Sequence, residues 1–146
     1  HLLDPADQAT GALDLELEVT LLSARMRAEG TQPARLSLGN ARHLYWTTAQ
    51  MVAHHASNGC DLHPGDLFGT GTISTPEPGG WGALMEITRG GREPLTLPNG
   101  EIRKFLEDGD EVTLLARAKR PGFAAIGFGP CRGLVLPAAA LGNTAP

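Results

Sequence analysis

Two side chains with the means to do chemistry sit in the stretch from Gly65 to Ile87. Thr72 ends the run Gly65-Asp66-Leu67-Phe68-Gly69-Thr70-Gly71-Thr72 with a hydroxyl that can bond a polar group of a ligand. Glu86 is the one carboxylate in the otherwise apolar run Ala83-Leu84-Met85-Glu86-Ile87. With Leu84 as its period-two neighbour, that acid is compatible with a partly dry pocket. Gly65, Gly69 and Gly71 let backbone or ligand approach closely, because no Cβ intervenes. The same residues also fit an ordinary glycine-rich turn region, with Thr72 capping loop backbone and Glu86 in solvent. Glu77, between Pro76 and Pro78, reads as a solvated loop residue.

Positioning these groups requires two short strands, Asp66–Thr72 and Ala83–Thr88, joined by the Gly- and Pro-dense loop between them. Upstream, Leu13, Leu15, Leu17, Val19 and Leu21 alternate with Asp14, Glu16, Glu18 and Thr20, the plainest strand of the chain. Its acidic side is most simply a solvated face rather than a metal site. Ser23–Gln32 reads as a charged connector, and His1–Gly11 as a frayed lead-in. Asn40 stands where an N-cap belongs, ahead of one long helix with Leu44, Thr48, Met51 and His55 on a stripe. Asn58-Gly59 supplies its left-handed stop. His54 and His55 project about 100° apart on that helix, so they do not share a metal; His55 reads as packing and His54 as rim.

Further on, Pro98-Asn99-Gly100 turns a short strand, Pro94–Leu97, into Glu101–Leu106 as a hairpin. Glu111–Ala118, Gly122–Gly129 and Arg132–Pro137 are the remaining strands, before a small, uncharged tail at Ala138–Pro146. The fold class expected is mostly β with one long helix packed across short strands.

Composition narrows the class. At 146 residues, 41% hydrophobic, the chain is one domain or part of one. Its 19 glycines and 11 prolines favour turns and short strands over a helical bundle. A net charge of −4 gives no basic footprint for nucleic acid, and no apolar run has membrane-spanning length. Cys60 and Cys131 lack zinc-site spacing and read as buried free thiols of a reducing, cytoplasmic setting.

Several long words in one order carry a resemblance. They are Tyr45-Trp46-Thr47, His54-His55, Asn58-Gly59-Cys60, Gly65-Asp66-Leu67, Thr72-Ile73-Ser74, Pro76-Glu77-Pro78 and Met85-Glu86. Arg103-Lys104-Phe105-Leu106, Asp108-Gly109-Asp110-Glu111-Val112, Gly127-Phe128-Gly129, Cys131 and Val135-Leu136-Pro137 follow. From about Leu13 to Ala138 the chain resembles the C-terminal part of the fumarylacetoacetase (fumarylacetoacetate hydrolase) family.

The resemblance implies a mixed β-roll, of which residues 1–146 would be the C-terminal portion, with the upstream half and an N-terminal barrel absent. It implies metal-dependent hydrolysis of the C–C bond of fumarylacetoacetate to fumarate and acetoacetate in tyrosine and phenylalanine breakdown. Mg²⁺ or Ca²⁺ would hold the diketone oxygens as a Lewis acid while a histidine activates water. Position by position, Glu86 matches the glutamate that orients that histidine, and Thr72 the threonine that contacts substrate. The base histidine and the metal-binding carboxylates are expected upstream, so no metal ligand is assigned here, and the chain alone would be inactive. A homodimer is implied as well. Gly79-Gly80-Trp81 and Lys119-Arg120-Pro121 depart from the family pattern and put fine substrate contacts in doubt. The alternatives are a related β-diketone hydrolase or decarboxylase of the same superfamily, or a non-catalytic β module that builds a dimer interface.

Overall fold

The computed structural model describes residues 1–139. The strand periodicity of the N-terminal region is realised as β1 (Leu15–Leu22), followed by a short helix and an edge strand, β2 (Ala34–Asn40). A 3₁₀ turn, Ala41–His43, leads to a helix over Thr48–Ala56; β3 (Leu95–Thr96) and β4 (Ile102–Arg103) form the hairpin. The chain then enters β5 (Glu111–Ala118), β6 (Ile126–Gly127) and β7 (Cys131–Leu134). The main sheet runs β2-β1-β5-β6, with β7 also paired to β5, and every pairing is antiparallel. β1 and β5 match along their full lengths, from Leu15 opposite Ala118 to Leu22 opposite Glu111.

Four helices occur among the described residues: α1 (Pro5–Thr10), α2 (Ala24–Glu29), α3 (Thr48–Ala56) and α4 (Leu84–Ile87). The architecture is mixed α/β, and the one long helix expected from Ala41 is not formed. Asn40 does cap, its Oδ1 accepting the Arg42 N–H at 2.9 Å, but only the 3₁₀ turn follows. Leu44 leaves helical geometry with ψ 133°, and Thr47 restarts the chain as a new N-cap. The Gln50 N–H donates to Thr47 Oγ1 and the Thr47 N–H to Gln50 Oε1, a reciprocal capping box. Gly59, at φ 84°, turns the chain away beyond that helix.

Other sequence expectations change for equally local reasons. The lead-in is not frayed: Asp4 caps α1, whose Asp7 accepts a 2.6 Å hydrogen bond from the Thr47 hydroxyl. The charged connector holds α2, capped by Ser23 and closed by Gly30 at φ 68°. Met26 on α2 is fully buried with Leu21 and Leu97, the centre of a small core flanked by Leu22, Ala34, Leu36 and Leu95. Cys60 and Cys131 are free but exposed, not buried, because no part of the described chain covers them. The acidic face of β1 is only partly solvated: Glu16 and Glu18 are half-buried, while exposed Asp14 is bonded by Asn40 and Arg42. Those bonds, Asn40 first, hold its carboxyl below the ordinary value.

A polar knot ties the hairpin to β5. Arg103 donates a fork to buried Asp110, Nε to Oδ2 and Nη2 to Oδ1, both at 3.0 Å. It also donates to Glu101 Oε1 at 3.2 Å and lies 3.3 Å from Glu107 Oε2. The Glu107 N–H donates to Asp110 Oδ2 at 2.9 Å. Ser23 and Asn99 donate to Glu101 Oε2, joining α2 to the same knot.

Candidate functional site

The two segments expected as strands around Thr72 and Glu86 take other forms. Asp66–Thr72 is irregular, and Ala83–Thr88 contains the single turn of α4. Leu84, Met85 and Glu86 are good helix formers, and Glu86 Oε2 reaches back to accept the Ala83 N–H at 3.2 Å. Thr88 closes the turn by donating both its N–H and its hydroxyl to the Leu84 carbonyl, each at 2.9 Å. Arg89, at φ 49°, and Gly90, at φ 68°, then carry the chain away.

Glu86 sits over a cavity of about 350 Å³. One wall is the threonine turn, Thr70, Thr72, Ile73 and Ser74; the other is the segment joining the 3₁₀ turn to α3, with His43, Tyr45, Trp46 and Met51. Thr72 and Glu86 therefore line one space, although both residues are exposed. The Ser74 hydroxyl donates to Glu86 Oε2 at 2.7 Å and itself accepts the Gly82 N–H at 3.0 Å. Among the described residues, Glu86 Oε1 has no hydrogen-bond partner. Ser74 is the site residue that period and composition do not single out, since nothing in its local spacing points to Glu86. It was visible only as part of the word Thr72-Ile73-Ser74.

The loop joining the threonine turn to the Glu86 turn is pinned to the sheet. The Leu38 N–H of β2 donates to the Gly79 carbonyl at 2.7 Å, and the Thr75 N–H to the Gly80 carbonyl at 2.9 Å. A Cβ on Gly39 would lie 3.2 Å from the Gly80 carbonyl oxygen. On Gly80 a Cβ would overlap the Thr75 hydroxyl, and on Gly82 it would overlap the Ile73 carbonyl and press Thr72 Cγ2 at 2.8 Å. Gly80 and Gly82 thus let this segment fold closely onto Thr75 and the threonine turn, and Gly39 lets β2 meet it. Glu77 is exposed on this loop, and His55 is half-buried, edge-on to Phe68 with centroids 5.1 Å apart.

A larger, polar groove of about 620 Å³ lies between β2 and the loop, lined by Glu16, Arg35, His43 and Glu77 among others. The smaller cavity is the better candidate because it joins a tethered carboxylate to a row of hydroxyls. Its donor set does not fit a hard divalent cation, which takes six or more oxygens, commonly several of them carboxylate. Among the described residues Glu86 is the only carboxylate lining it, and Oε2 is already bonded to Ser74 and Ala83. Among the described residues, no three His, Cys, Asp or Glu side chains are grouped to hold a metal.

An antiparallel sheet flanked by a carboxylate on a helical turn and hydroxyls on an adjoining loop does not by itself define an activity, and sequence comparison supplies the family. The family model for the fumarylacetoacetate (FAA) hydrolase C-terminal domain matches residues 4–136, and the chain belongs to that family. It is similar to human fumarylacetoacetase, 47% identical over 118 residues, covering 80% of this chain and 28% of the human protein. The rice fumarylacetoacetase is 47% identical over 125 residues, covering 86% of the chain and 28% of that protein. The Caenorhabditis elegans fumarylacetoacetase is 54% identical over 101 residues, covering 68% and 23%. The chain thus spans under a third of the length of these relatives. Among the described residues, no helix is long and apolar enough to cross a membrane.

Proposed function

We propose that this chain is the C-terminal portion of the catalytic domain of a C–C bond hydrolase that converts fumarylacetoacetate to fumarate and acetoacetate. The reaction belongs to tyrosine and phenylalanine breakdown. Support comes from the fumarylacetoacetase relatives and, above all, from one observation: Glu86 and Thr72 line the same cavity. Glu86 serves as the orienting acid. With Oε2 tied to Ser74 and Ala83, its other oxygen is available to hold an imidazole in one tautomer, which lets that ring take a proton from water. The imidazole is supplied by polypeptide outside this chain. Thr72 donates its hydroxyl to a substrate carboxylate, holding the diketo acid in register with the activated water.

Mg²⁺ or Ca²⁺ belongs to the same proposal as a cofactor held by ligands outside this chain, and no residue here is assigned to it. The β-roll, a homodimer and a cytoplasmic location also belong to it and rest on the family alone. The test is Glu86→Gln in the complete polypeptide that carries this segment, assayed with fumarylacetoacetate and Mg²⁺ or Ca²⁺. Turnover should fall about 100-fold with little change in KM, the size of a lost acid–base function. Equal losses in kcat and in substrate affinity would assign Glu86 a structural role instead.

A further inference from the structure

We infer that Ser74 is a positioning residue for Glu86, a role that rests on the proposed function of that acid. The observation is a directed relay. The Gly82 N–H donates to Ser74 Oγ at 3.0 Å, and the Ser74 hydroxyl donates onward to Glu86 Oε2 at 2.7 Å. Since the serine oxygen accepts from a backbone donor, its own proton is directed at the carboxylate. The second donor to that oxygen, the Ala83 N–H, is longer at 3.2 Å and comes from the same turn as Glu86. Ser74 is therefore the only side-chain tether, among the described residues, between the acid and the opposite wall of the cavity.

The tether is built, not incidental. Ser74 immediately precedes Thr75, whose N–H is bonded to the Gly80 carbonyl, and that stretch of loop is fastened to β2 through Gly79. Gly82 can bring its N–H to Ser74 only because it lacks a side chain, which would strike the Ile73 carbonyl. The relay fixes which carboxylate oxygen is spoken for and which points outward. A carboxylate released from Ser74 would keep its charge but sample several rotamers, and a group that must orient a partner loses effect when its own direction is loose.

Kinetics of the complete polypeptide test this with four variants. Ser74→Ala is expected to lower kcat about ten-fold, the scale of one hydrogen bond to a charged group, with KM within about two-fold. Ser74→Thr keeps the hydroxyl and should recover most of the lost turnover. In a Glu86→Gln background, adding Ser74→Ala should cost little more, because the two residues act as one unit. An unchanged kcat in Ser74→Ala, the same loss in Ser74→Thr, or full additivity with Glu86→Gln would each overturn the inference. If Glu86→Gln itself leaves turnover intact, the proposed function of the acid fails first, and the positioning role falls with it.

Discussion

Removing either member of the Arg103–Asp110 pair should destabilise this region, but not equally. The Arg103 side chain is 6% exposed and Asp110 fully buried, so each charge depends on protein partners instead of water. Breaking a buried ion pair from one side costs about 3–5 kcal/mol, because the remaining charge is stranded. Asp110→Ala leaves Arg103 with Glu101 at 3.2 Å and Glu107 at 3.3 Å, so its cost belongs at the low end, about 3 kcal/mol. Arg103→Met strands Asp110 with the Glu107 N–H as the one remaining donor to its side chain among the described residues, and belongs near 5 kcal/mol. Denaturant unfolding followed by the fluorescence of Trp46 and Trp81 reads this directly as a shift in midpoint at constant slope. The double variant should cost less than the sum of the two, since it leaves no buried charge unpaired. Equal costs below about 1 kcal/mol, or a greater loss in Asp110→Ala than in Arg103→Met, would refute the reasoning.

Two further outcomes follow from the same contacts. Hydrogen bonds from Ser23, then Asn99, with Arg103 beside them, hold the Glu101 carboxyl at about 2, below its ordinary 4.5. A depressed folded value means that its stabilisation is complete above 4.5 and is lost as pH falls from 4.5 towards 2; melting temperatures over this window should drop less steeply in Glu101→Gln than in the parent. Gly82→Ala should cost about 1–3 kcal/mol by overpacking against Ile73 and Thr72 and should lower kcat/KM of the complete polypeptide, seen by parallel melting and kinetic assays.

What could be read without coordinates tracks the length of each pattern. β1 is legible because the alternation from Leu13 to Leu21 exceeds what chance supplies, β5 more weakly through Val112, Leu114 and Ala116 on one side, and the hairpin because Pro98-Asn99-Gly100 names its own turn. β2 has only Leu36 and Leu38 alternating with Arg35 and Ser37 before Gly39, too short a signal to stand out. The start of α3 was readable in Thr47-Thr48-Ala49-Gln50, a capping-box pattern, but Asn40 offered an equally good cap earlier. Over Ala83–Thr88 a single helical turn and a short strand share the same apolar content, and what decides between them is Glu86 bonding back to Ala83 together with Thr88 closing on Leu84. Ser74 illustrates a different limit: its meaning depends on a partner twelve positions away that folding, not spacing, delivers.

The fastening of the Thr75–Gly80 loop to β2 has a consequence for how damage there would look. Leu38 and Gly39 do not line the cavity that holds Glu86, yet the Gly79 carbonyl that meets Leu38 anchors the stretch leading to Ser74 and Gly82. A side chain on Gly39 would push against Gly80 and travel along that stretch as a small displacement. A lesion at a sheet margin would then disturb the surroundings of Glu86 while the fold stays sound, and a search for its cause among the residues lining that cavity would miss it.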